Sequence, residues 1–128
     1  MRVFNRLNRQ EFEEFLLLSY VHDSRIQTIE VDISKRTIKI VLVNRYDCVG
    51  YSFCFREVSA AYGFEGEWIG EKDMVLGVVL EDQIPVESLK SFLHKEISED
   101  EFHLLFQLFS GSEIHIISSE VGVESWEN

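Results

Sequence analysis

Four histidines, two cysteines and 23 acidic residues are the groups that could carry chemistry in this chain of 128 residues. His22 and Asp23 are adjacent, and both side chains can ligate a metal. The pair sits between a helical pattern and a strand pattern, however, and reads as a turn in which Asp23 or Ser24 bonds the local backbone. His94, His103 and His115 could join His22 in a metal cluster. A turn over Ser110-Gly111-Ser112 argues against it: it sets His115 opposite Gln107, roughly 13 Å along the strand from His103, so both are expected on a solvent face and unable to share an ion. Cys48 and Cys54 fall on one strand, roughly 20 Å apart, and are expected to be free thiols. The chain has no Gly-x-Ser-x-Gly, no phosphate-cradling glycine loop and no cysteine beside histidines, and its acids are too numerous for any one pair to mark an acid/base site. No catalytic, metal or cofactor residue is assigned.

Binding is better supported. Periodicity fails from Arg56 to Asp73, and Tyr62 to Asp73 reads as a long loop in which Phe64, Glu65, Glu67, Glu71 and Asp73 flank Trp68. An aromatic anchor among acids suits docking on a basic surface, and these six residues form the candidate partner site. Net charge is -11, which repels phosphate backbones and anionic lipid. A basic protein is the expected partner; nucleic acid and membrane are not. No apolar run approaches the roughly 20 residues that span a bilayer, and the N-terminus lacks a signal-peptide pattern, so the expected location is cytoplasmic.

The elements that must position these residues follow from periodicity. Asn8 and Glu11 form a capping box, with Leu7 placed to staple onto Phe12; Phe12, Phe15, Leu16 and Ser19 share one helical face, widened by Leu17, Leu18 and Tyr20. Alternation of period 2 then marks strands from Arg25 to Ile33, Thr37 to Val43 and Cys48 to Phe55. Keeping their apolar faces together pairs Val31 with Ile40 and Ile40 with Tyr51, with Asp32 across from Lys39. Further strands run from Met74 to Leu80, Glu101 to Phe109 and Glu113 to Ser118. Val86, Leu89, Phe92 and Leu93 have helical spacing after Pro85, a short helix within Glu81 to Ser98. In the last hairpin Phe102, Leu104, Phe106 and Leu108 share a face with Ile114 and Ile116, while Leu105, Phe109 and Ile117 make the second face apolar and in need of cover. The expectation is a single α+β domain over residues 1–128, an antiparallel sheet of about six strands built from a meander and hairpins, with the N-terminal helix packed on one face.

The stretch Val21-His22-Asp23-Ser24-Arg25-Ile26, followed by two alternating strands and later by Phe109-Ser110-Gly111-Ser112-Glu113-Ile114-His115-Ile116-Ile117, resembles a pattern in small bacterial β-rich proteins, some of them suspected immunity proteins of contact-dependent toxins. The resemblance implies a protein that neutralises a basic toxin through acidic surface. With the residues, it gives a non-enzymatic protein-binding role as the expected function and a small-molecule-binding or metal-dependent enzyme as the rival.

Overall fold

The computed structural model describes residues 1–19, 21–44, 48–63, 75–80 and 97–127, apart from the side chain of residue 76. These residues form β1 (Arg2–Asn5), a 3-10 turn (Arg6–Asn8), α1 (Arg9–Leu18), β2 (Ser24–Asp32), β3 (Thr37–Asn44), β4 (Val49–Arg56), β5 (Ala60–Tyr62), β6 (Val75–Leu80), β7 (Phe102–Leu108), β8 (Glu113–Ser118) and β9 (Glu120–Glu127). The strands make two antiparallel sheets, β1-β9-β4-β3-β2 and β5-β8-β7-β6. The expected single sheet of about six strands therefore becomes two sheets sharing one core. The short helix expected within residues 81–96 lies outside the described residues.

Alternation explains that core. Ile38, Ile40 and Leu42 of β3, Tyr51, Phe53 and Phe55 of β4 and Val121 and Val123 of β9 point one way from the first sheet; Leu104, Phe106 and Leu108 of β7 and Ile114 and Ile116 of β8 point back from the second. Phe106 reaches across between them, edge-on to Phe53 at 5.8 Å and to Phe55 at 6.2 Å between ring centroids. α1 packs on the first sheet through Phe15, which meets Tyr51 of β4 edge-on at 6.3 Å between ring centroids, and reaches the second sheet as well. Its Phe12 stacks on Phe4 of β1 at 4.7 Å and meets Phe102 of β7 edge-on at 5.9 Å, so the helix bridges the two sheets.

Several local expectations are corrected. Asn5, not Asn8, accepts the capping bonds, from the N–H groups of Leu7 (2.9 Å) and Asn8 (3.3 Å), while Asn8 Oδ1 accepts from Asn5 N–H at 2.6 Å. The reciprocal box caps the 3-10 turn that leads into α1, and Leu7, 97% exposed, makes no staple. Leu17 and Leu18 also face solvent.

The β2–β3 register pairs Ile29 with Ile40, Glu30 with Lys39 and Asp32 with Thr37. Asp32 therefore does not face Lys39. Its Oδ1 instead accepts from Ser34 Oγ (2.8 Å) and Lys35 N–H (3.1 Å), which draws Asp32 into closing the turn and expels Ile33 to solvent. A bulge at Gln27 lets Ile26 and Ile29 both face the core, and Val31, on the same side but at the sheet edge, is 53% exposed. Between β3 and β4 the apolar faces match as expected, but the register moves by two residues and Ile40 pairs with Phe53. Cys48 takes φ 56° before β4 and is exposed; Cys54 is half-buried, and both are free thiols.

Candidate functional site

The chain changes sheets at two neighbouring corners. Glu57-Val58-Ser59 carries it from β4 to β5, and Ser119 alone separates β8 from β9. Ser119 Oγ donates to Glu57 Oε2, and Arg56 Nη1 meets Glu120 Oε2 at 3.0 Å, so each corner braces the other. The ion pair raises the Arg56 pKa, chiefly through its hydrogen bond to Glu120.

These corners form the wall of an open cleft of about 410 Å³ lined also by Asn5, Arg6, Leu7, Glu99 and Asp100. Four acidic residues, Glu57, Glu99, Asp100 and Glu120, thus line the same cleft as the exposed Leu7 and as Arg6, whose Nη1 donates to the Glu101 carbonyl at 3.1 Å. Glu99 and Asp100 are exposed. Sequence reading missed this group because its acids come from three separate segments of an acidic chain, and only the sheet crossings bring them together.

The sequence-derived partner site, Phe64, Glu65, Glu67, Trp68, Glu71 and Asp73, lies outside the described residues, as does His94. His22 is exposed in the turn before β2, where its carbonyl accepts from Asn44 Nδ2 at 3.4 Å; Asp23 takes φ 66° and its N–H donates to the Val75 carbonyl at 2.7 Å.

His103 and His115 overturn their expectation. Both are 1% exposed, and His103 Nε2 lies 2.9 Å from His115 Nδ1. The reason is the turn. Gly111 has φ 91° and its N–H donates to the Leu108 carbonyl at 3.0 Å, which makes Phe109-Ser110-Gly111 the three-residue loop and leaves Phe109 55% exposed. The register then pairs Gln107 with Glu113 and Leu105 with His115, placing the His115 ring diagonal to His103 beside buried Leu105 and Ile117. A left-handed glycine at the third loop position is the sequence signal that would have located the pair. Gly111→Ala should cost about 1–2 kcal/mol, read from urea unfolding, because an L side chain disfavours that conformation; a neutral change would show that the loop does not depend on it.

Glu113 Oε1 lies 3.6 Å from His115 Nε2 and favours the proton on that nitrogen. His115 Nδ1 is then the acceptor and His103 Nε2–H the donor. Burial keeps both rings neutral: desolvation, with His115 nearby, pushes His103 down to about 4, and desolvation lowers His115 against the opposing pull of Glu113. Among the described residues no group of three or more His, Cys, Asp or Glu side chains converges as metal ligands, and no helix is long and apolar enough to cross a membrane. Compared with protein-family models, curated proteins and solved structures, the chain matches none.

Proposed function

We propose that the protein is a non-enzymatic binding module that docks a basic protein partner at the acidic cleft, and in its sharpest form neutralises a basic toxin in the bacterial cytoplasm. The observation that carries this reading is one cleft lined by Glu57, Glu99, Asp100 and Glu120, of which Glu99 and Asp100 are exposed, together with a leucine 97% exposed. Carboxylates steer a basic surface and fix its orientation, while an apolar residue standing out among them supplies contact area on docking. A net charge of -11 adds long-range attraction for the same class of partner. The enzymatic alternative would draw on His103 and His115, yet both rings are 1% exposed.

Purified basic nuclease-toxin domains, passed over the immobilised protein at low and high salt, test the proposal. One of them should bind with an association rate that falls about tenfold or more as salt rises, and Glu99→Lys with Asp100→Lys should slow association by a similar factor at an unchanged melting temperature. Binding indifferent to both salt and charge reversal, or no binding by any basic domain, would count against it.

A further inference from the structure

The inner face of the first sheet continues past the core. Along β9 the inward positions run Val121, Val123 and Ser125, and along β1 Phe4 is followed toward the same end by Arg2. Alternation therefore sets a hydroxyl and a guanidinium where apolar side chains stood before. Facing them is one stripe of α1, since Glu11, Glu14, Phe15 and Leu18 recur at helical spacing and line an open cleft of about 430 Å³. Arg2, Val49, Tyr51 and Ser125 line it from the sheet. The cleft has the size of a small-molecule site and shares no lining residue with the acidic cleft at the sheet crossings.

Its charges are separate and opposed. Arg2 Cζ stands 4.9 Å from the Phe4 ring centroid and 5.6 Å from that of Phe15, so the guanidinium rests on two aromatic faces. Among the described residues it makes no ion pair or side-chain hydrogen bond, although Glu11 and Glu14 line the same cleft. Neither of those carboxylates is ion-paired either; on α1 it is Glu13 that pairs, with Arg9. The two rings hold the cation, the helix holds the acids, and Phe15 and Tyr51 give the cleft an aromatic lining.

A guanidinium fork takes a carboxylate through two parallel N–H donors, and a carboxylate takes an ammonium. A ligand that satisfies both walls carries the two charges close together beside an apolar group. We propose that this cleft binds a free α-amino acid with an apolar side chain: its carboxylate on Arg2, its ammonium on Glu11 and Glu14, and its side chain on Phe15 and Tyr51. A peptide terminus brings one of the two charges only and is the poorer ligand. Arg2, Glu11 and Glu14 are all exposed, so each ionic contact is screened by water and the affinity is modest, with Kd between about 10 µM and about 1 mM.

Calorimetric titration of the full chain with L-phenylalanine, L-leucine and L-methionine tests the proposal. At least one of them should bind with Kd below about 1 mM. N-acetyl-L-phenylalanine, which lacks the ammonium, L-phenylalanine amide, which lacks the carboxylate, and glycine, which lacks the side chain, should each bind about tenfold more weakly or worse. Arg2→Met keeps an apolar chain over the two rings without the charge, and Glu14→Gln removes an exposed carboxylate; each should weaken binding by about tenfold with the melting temperature retained. Should Arg2→Met melt early, Arg2→Lys, which keeps the charge and loses the fork, should bind more weakly than the native protein. No heat from any of the three amino acids up to about 10 mM, a blocked form that binds as tightly as the free amino acid, or a folded Arg2 variant with native affinity would overturn it. None of these outcomes bears on the docking of a basic protein at the other cleft.

Discussion

Phe106→Ala should remove about 3–5 kcal/mol of stability, read as a lower urea midpoint at an unchanged slope. The side chain is fully buried, and its ring stands edge-on to both Phe53 and Phe55, so truncation opens a cavity between the two sheets. Neither sheet can collapse into that space without sliding across the other. A domain of this size commonly has 5–15 kcal/mol in all, so the variant should be close to unfolding at 37 °C. Phe106→Leu keeps most of the volume and should lose less than half as much. Equal and small losses in both variants would show that the sheets do not meet at this ring.

Acid should weaken the fold through His103. An unfolded imidazole binds a proton near pH 6.5, whereas burial holds the folded one back to about 4. Between those values the unfolded chain carries the extra proton, so this contribution is complete above pH 6.5 and is lost as pH falls toward 4. The loss from pH 8 to pH 5 should be about 2 kcal/mol for this one group. His115 titrates low for the same reason, with Glu113 moderating the effect. Urea unfolding at a series of pH values measures the slope, and His103→Gln, which keeps a donor near His115 Nδ1, should flatten it. A slope unchanged in His103→Gln would mean that the acid sensitivity lies in other groups. Direct observation of the His103 ring by NMR should show it neutral at pH 5.5.

How much of this was legible in the sequence depends on whether a feature is local. Which residues of a strand face inward is local, and Ile38, Ile40 and Leu42 matching Tyr51, Phe53 and Phe55 follows from alternation alone. Register is set at turns, by single atoms that periodicity does not see. The Asp32 carboxylate draws Ser34 and Lys35 into the first turn, and the left-handed Gly111 moves the last one back by a residue. That shift separates two histidines expected far apart from two in hydrogen-bond contact. β9 escaped notice because only Val121 and Val123 carry its inward pattern, and the rest of its pairing is with distant β1 and β4. Its remaining support is a contact no alternation reveals: the Trp126 indole occupies the place where a Cβ on Gly50 would stand, directly across the strand pair. The acidic cleft was invisible for a related reason, since acids are scattered along the chain and the two crossings, at Glu57 to Ser59 and at Ser119, decide which of them meet.

The position of β9 between β1 and β4 also governs how the protein is made. β2, β3 and β4 follow closely in sequence and can pair early, but among the described strands β1 has no sheet neighbour until β9, the last of them, arrives beside it. Until then β4 carries a bare edge and Phe4 lacks its sheet. Closing so long a loop costs chain entropy before any contact repays it, which places folding in the slow, millisecond-to-second class of β proteins. During synthesis, the half-built sheet therefore exposes an unpaired strand edge of the kind that aggregates until β9 arrives.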